Sequence, residues 1–100
     1  MESKALTSGQ RRFLKQQAHH LKPIMQMGKV GPTDAFAREL DEQLKAHELV
    51  KVRILNNCLS GTDEIKALFE GIGALVIQKV GNIYTVFKQK AEDSWFKLPT

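Results

Sequence analysis

The stretch with the clearest chemistry is Gly28-Lys29-Val30-Gly31. Two glycines let a backbone approach a ligand with no Cβ in the way. Lys29 between them supplies a positive charge. A helix starting just beyond, at Thr33, would aim its free N–H groups and positive dipole end at the same place. The residue types therefore specify a small anion site. The plainer alternative is a strand-to-helix turn that needs glycine only for its backbone. Neither a G-x-G-x-x-G pattern nor a Gly-rich loop ending in G-K-[ST] is present, which argues against a mononucleotide site.

The other charged residues favour an extended anion. Net charge is +4 and the sequence pI about 9.4. Residues 1–31 carry +5, residues 32–48 carry −3, residues 49–60 carry +2, residues 61–73 carry −2, and residues 74–90 carry +3. Charge is thus segregated by segment. Arg11, Arg12, Lys15, Lys22, Lys29, Lys51, Arg53, Lys79 and Lys88 form the candidate basic set. Taken singly, most would be solvated surface residues. Taken together they suit a phosphate backbone. Lys29, Lys22, Lys15 and Arg12 rank first, followed by Lys51 and Arg53.

Catalytic and metal chemistry find little footing. His19 and His20 are adjacent and point about 100° apart on a helix, and no Cys-x-x-Cys or His-x-x-x-His spacing supports zinc. No carboxylate pair or nucleophile–base set stands out, and Cys58 has no evident activating base. We expect no catalytic residues, no metal and no cofactor. Phe13, Phe36, Phe69 and Phe87 fall on apolar stripes and read as core. Tyr84 and Trp95 are the aromatics with a conceivable stacking role, although packing is the better fit for both.

Seven elements must position these residues. Thr7 and Gln10 form a capping box, so a helix starts at Ser8 with Phe13, Leu14, Ala18 and Leu21 on one side. Pro23 ends that pattern. Ile24–Met27 reads as a short strand running into the glycine loop. Thr33 caps a second helix whose stripe is Phe36, Leu40 and Leu44, and which fades at His47-Glu48. In Leu49–Leu55, Val50, Val52 and Ile54 alternate with Lys51 and Arg53, giving one buried and one basic side. Asn56–Thr62 is turn-rich. Ile65, Leu68, Phe69 and Ile72 mark a third helix closed by Gly73. Ala74–Val80 and Ile83–Lys88 are strands joined at Gly81-Asn82.

The order α-β-α-β-α-β-β implies an α/β domain with a four-stranded mixed sheet and helices mainly on one face. The 100 residues fit one domain, with a core of about 6–90 and a tail over 91–100 that carries Trp95, Phe96 and Leu98. No apolar run reaches the length of a membrane span, and no apolar signal core follows the first residues. One cysteine fits a reducing compartment. A cytoplasmic monomer with no membrane partner is the expectation.

The segments LTSGQRRFLKQQAHHLKPIMQMGKVGPTDAF, HELVKVRI, GALVIQKVGNIYTVFK and KLP, in this order, resemble the CRM (chloroplast RNA splicing and ribosome maturation) domain. The likeness is closest to its single-domain bacterial, YhbY-like form and runs from Leu6 to Pro99. It implies a fold like the C-terminal domain of bacterial translation initiation factor three. It also implies RNA binding and association with ribosomal RNA of the precursor large subunit in ribosome assembly. The family's G-x-x-G loop falls on Gly28, Lys29, Val30 and Gly31, and is likened to the loop with which KH domains clamp an RNA backbone. Pro32 departs from the apolar residue common there, which stiffens the loop exit. The loop NNCLSG also departs from the pattern, so the resemblance carries no role onto it. The alternative to an RNA-binding factor is a protein-interaction module, in which the acidic second helix and apolar tail dock a ribosomal protein or another assembly factor.

Overall fold

The computed structural model describes residues 6–89. Residues 1–5 and the tail from Lys90, with Trp95, lie outside it. The elements are α1 (Ser8–Ala18), β1 (Pro23–Met27), α2 (Asp34–His47), β2 (Leu49–Ile54), α3 (Thr62–Gly71), β3 (Leu75–Val80) and β4 (Ile83–Phe87). The expected order and the mixed four-stranded sheet are both found. Strands lie in the order β1-β2-β4-β3, with β1 parallel to β2 and β4 antiparallel to both its neighbours.

Local chemistry sets the helix starts. The Thr7 hydroxyl accepts from the Gln10 backbone N–H while the Gln10 side chain accepts from Thr7 N–H, which satisfies two otherwise orphaned donors. Thr33 accepts from Phe36 N–H at 3.0 Å and starts α2 directly after Pro32. Pro32 therefore leaves the helix cap intact. Gly73 closes α3 with φ +80, and Gly81 opens the β3–β4 turn with φ +61.

The period-two pattern of the strands divides the core. Val50, Val52, Tyr84 and Val86 point to one face and pack with Leu40 and Leu44 of α2 and with Ile65 and Phe69 of α3. Phe69 and Tyr84 meet edge to face at 5.3 Å, a geometry worth about 0.5–1.5 kcal/mol beyond the area buried. Leu49, Ile77 and Phe87 point to the other face and pack against Leu14 and Ala18 of α1. Two of the three helices thus share one face. The third, α1, covers one end of the opposite face, where Leu49 breaks the basic side of β2 with an apolar residue. Ile77 follows Leu75 onto the α1 side by ordinary alternation, and a bulge between Val76 and Gln78 sets Gln78 rather than Ile77 opposite Thr85.

Candidate nucleic-acid interface

The G-K-V-G stretch is a tight turn at the end of β1, closed by Gly31 N–H donating to the Gly28 carbonyl at 3.0 Å. Lys29 and Val30 occupy its corners. Lys29 is exposed, and Val30 keeps 82 % of its surface. The two glycines do different work. Gly31 is buried with φ +77, and a Cβ there would lie 2.5 Å from Ser60 Oγ. The fold itself needs glycine at that position. Gly28 has no positive φ, and a Cβ there would meet Asn57 Oδ1 and Leu55 Cδ1 at 3.6 Å, ordinary contact distances. Nothing in the packing around Gly28 requires the absence of a side chain.

The strand register carries the site away from this turn. Arg53 pairs with Gln26, two residues before Gly28, and with Ile83. Lys51 pairs with Pro23 on one side and Thr85 on the other, and Thr85 pairs with Gln78 of β3. Both basic residues point to the face that α1 only partly covers. Gln26 and Arg53 are exposed there and Lys51 is half-buried. Gln78 also lines a groove of about 480 Å³ with Arg12, Lys15, Gln16, His19 and His20 of the α1 flank. The path from Arg53 through Lys51 and Gln78 to Lys15 and Arg12 therefore follows one face of the sheet, with the exposed Lys29 in the turn just beyond the β1 end of that face. Lys22 is exposed just before β1, beside the Pro23–Lys51 pair.

Three members of the basic set leave the patch. Arg11 Nη1 donates to the carbonyls of Val76 and Ile77 at 3.0 and 3.3 Å, so its guanidinium satisfies the acceptors that the β3 bulge exposes. Lys88 belongs to the other face, where its Nζ lies 2.7 Å from Asp41 Oδ1. That hydrogen bond is the main reason the Asp41 carboxyl sits below its ordinary value. Partial burial opposes the shift, and Lys45 at 3.4 Å adds to it. Lys79 lies over the Tyr84 ring, 5.8 Å from its centroid. Tyr84 is buried against Phe69, which rules it out as a base-stacking platform. Sequence gave no sign of the Arg11 contact, because the bulge that creates it depends on pairing between distant strands.

The acidic residues of α2 and α3 lie across the sheet from Lys51 and Arg53. Between those helices a second groove, of about 510 Å³, is lined by Asp34, Glu64, Ala37, Ala67 and Leu68 among others. His19 and His20 meet edge-on at 5.2 Å. Among the described residues no group of three His, Cys, Asp or Glu side chains could hold a metal ion, and no helix is long and apolar enough to cross a membrane.

Comparison with known proteins gives this surface a context. The family model for the CRS1/YhbY (CRM) domain matches residues 6–88. The chain is 39% identical over 95 residues to the Bacillus subtilis protein named "Probable RNA-binding protein YqeI", covering 94% of this chain and 99% of that one. It is 31% identical over 100 residues to a Haemophilus influenzae protein named as an RNA-binding protein, covering 94% of this chain and 95% of the relative. Among solved structures, the solution structure of the Staphylococcus aureus protein SAV1595 superposes with a TM-score of 0.71 at 30% identity, covering 95% of this chain and all of that one. With the family model spanning its entire sheet and all three helices, the chain belongs to the CRS1/YhbY (CRM) domain family.

Proposed function

We propose that this protein binds RNA through its phosphate backbone, with no catalytic step. The Gly28–Gly31 turn would hold phosphate, and Lys29, Arg53, Lys51, Lys22, Lys15 and Arg12 would extend the contact along the half-open sheet face. One observation carries this reading. Gly28 is a glycine that the fold does not require, placed beside an exposed lysine at the end of a strand. Close approach of a ligand backbone accounts for it. The RNA-binding relatives support the choice of ligand.

The ligand we propose is ribosomal RNA in the precursor of the large subunit, bound in the cytoplasm by a single-domain monomer during ribosome assembly. Membership of the family supports that choice. Lys29→Ala and Gly28→Ala, measured against RNA at several salt concentrations, test the contact. Each neutralised phosphate contact should lower the slope of log K against log salt by about 0.7–0.9. Unchanged affinity and slope in Lys29→Ala would sink the loop assignment. Crosslinking in cells with sequencing of the bound RNA tests the target, and a scatter of messenger RNAs without ribosomal enrichment would overturn it. The acidic groove between α2 and α3 favours a second reading, in which that face docks a ribosomal protein or assembly factor. Such a contact would survive nuclease treatment, whereas an RNA-bridged one would not.

A further inference from the structure

Beside the G-K-V-G turn stands a loop, residues 55–61, to which neither the resemblance nor the charge pattern gives a role. Structurally the two are one unit. Leu55 N–H donates to the Met27 carbonyl at 2.8 Å, which continues the β1–β2 ladder into the loops. Asn57 Oδ1 lies 3.6 Å from where a Gly28 Cβ would be, and Ser60 Oγ fills the space beside Gly31. A ligand that reaches the Gly28 backbone therefore meets Asn57.

The loop is held at both ends and open in the middle. Asn82 of the β3–β4 turn brackets the end of β2, its Nδ2 donating to the Ile54 carbonyl at 2.9 Å while its own carbonyl accepts from Ile54 N–H at 2.7 Å. Cys58 N–H closes a turn onto the Leu55 carbonyl at 3.0 Å, and the Cys58 side chain packs against the main core. Gly61 N–H donates to Glu64 Oε1 at 3.1 Å, which fixes the exit into α3. Between these anchors Asn56, Asn57 and Leu59 are exposed, and neither asparagine amide makes a hydrogen bond within the described residues. Leu59 keeps 83 % of its surface and Val30 82 %, more than any other large apolar side chain described. Two bare apolar tips therefore sit on adjoining loops, next to a lysine and two unpartnered amides.

We propose that residues Asn56–Ser60 form a base-contacting element that gives the phosphate site its sequence preference. The inference rests on the RNA-binding reading above. An asparagine amide presents a donor and an acceptor side by side, the pattern that pairs with the edge of an unstacked base. Leu59 and Val30 offer apolar surface to the faces of bases splayed from a single strand. A loop already fixed at its ends loses little further freedom on binding. In this division of labour Lys29 and Gly28 give affinity without regard to sequence, and Asn56, Asn57 and Leu59 discriminate.

The test uses the full chain and a short random single-stranded RNA pool, sequenced before and after capture. Three proteins are compared: wild type, Lys29→Ala, and the triple variant Asn56→Ala/Asn57→Ala/Leu59→Ser. All three altered loop side chains are exposed, so the fold should persist, and circular dichroism checks it. Wild type should enrich a subset of sequences. Lys29→Ala should bind every sequence more weakly and keep their rank order. The triple variant should keep its salt dependence and lose about tenfold in enrichment of the preferred sequences. A second measurement, photocrosslinking of thiouridine-substituted RNA, should mark the peptide that contains residues 56–59. The inference is overturned if the triple variant keeps the wild-type preferences, as it would if the apolar tips serve a protein. It is also overturned if wild type binds but enriches nothing, an outcome that leaves the phosphate reading standing. Failure of wild type to bind any RNA at low salt overturns both.

Discussion

The glycines of the G-K-V-G turn can be separated by experiment, because one is held by the fold and the other is not. At Gly31, φ is +77, and placing an L side chain in the left-handed region costs about 1–2 kcal/mol. Gly31→Ala would also put its Cβ 2.5 Å from Ser60 Oγ. That oxygen can swing away about χ1, since Ser60 Cβ itself is at a comfortable 3.6 Å. The steric addition is therefore small, and the total is about 1–2 kcal/mol, or roughly 4–8 °C in Tm per kcal/mol for a domain of this size. Gly28→Ala faces neither cost. Its added methyl meets Asn57 and Leu55 at ordinary distance, so stability should change by no more than about 0.5 kcal/mol. RNA affinity should show the reverse ranking per unit of stability lost. If the Gly28 backbone donates to a phosphate, blocking that approach removes a charge-assisted hydrogen bond of about 1.5–3 kcal/mol, roughly 10- to 100-fold in Kd. Urea denaturation followed by circular dichroism, with fluorescence anisotropy on a labelled RNA, measures both quantities in the same samples. The reasoning fails if Gly28→Ala destabilises as much as Gly31→Ala. It also fails if Gly28→Ala folds normally and binds RNA as wild type does.

Arg11→Ala should cost about 1–3 kcal/mol in urea denaturation, because two part-buried carbonyls lose their donor, and should leave the salt slope of RNA binding unchanged. Arg12→Ala, one residue on and exposed, should do the opposite: stability within about 0.5 kcal/mol of wild type and a shallower salt slope. Asp41→Asn should lower stability at pH 7 by about 0.2–1 kcal/mol. The Asp41 carboxyl titrates below its ordinary 3.8 in the folded state, so its contribution is fully present above that value and fades as pH falls through the depressed folded pKa. The stability gap between wild type and Asp41→Asn, read from urea midpoints, should therefore close in strong acid, and a gap that widens there would contradict the assignment. Thr33→Ala removes the cap at the entry to α2 and should cost about 1 kcal/mol by thermal denaturation.

The elements were legible because their signals are local. Thr7 with Gln10, Thr33, Gly73 and Gly81-Asn82 each mark a boundary through a bond or backbone angle reached within a few residues, and each is found in that role. The alternation of Val50, Val52 and Ile54 with Lys51 and Arg53 also holds. What it leaves out is the side on which α1 packs. The first helix has an apolar stripe but no local partner, and its place is decided by Leu49, Ile77 and Phe87, which come together only when β2, β3 and β4 pair. The role of Arg11 was hidden for the same reason. A basic residue in the first turn of a polar helix looks solvated until a bulge on a distant strand turns two carbonyls toward it.

Segregation of charge along the chain becomes segregation between faces through this topology. In a strand with period-two alternation, basic residues at Lys51 and Arg53 are carried to the side opposite Val50 and Val52. The α2 and α3 helices, joined to the sheet by crossovers that pack on the Val50–Val52 side, take their acidic residues with them. A phosphate backbone on the Lys51–Arg53 side is then shielded by the sheet from most of the acids on those helices, although Asp34 stands close in sequence to the turn. Two basic strand residues depart from this division: Lys79 lies over the Tyr84 ring on the helix face, and Lys88 points to the same face and is neutralised there by Asp41. The arrangement leaves α1 as the helix that adds cations to the Lys51–Arg53 side, and its Arg12 and Lys15 occur where its apolar stripe turns Leu14 and Ala18 toward the sheet.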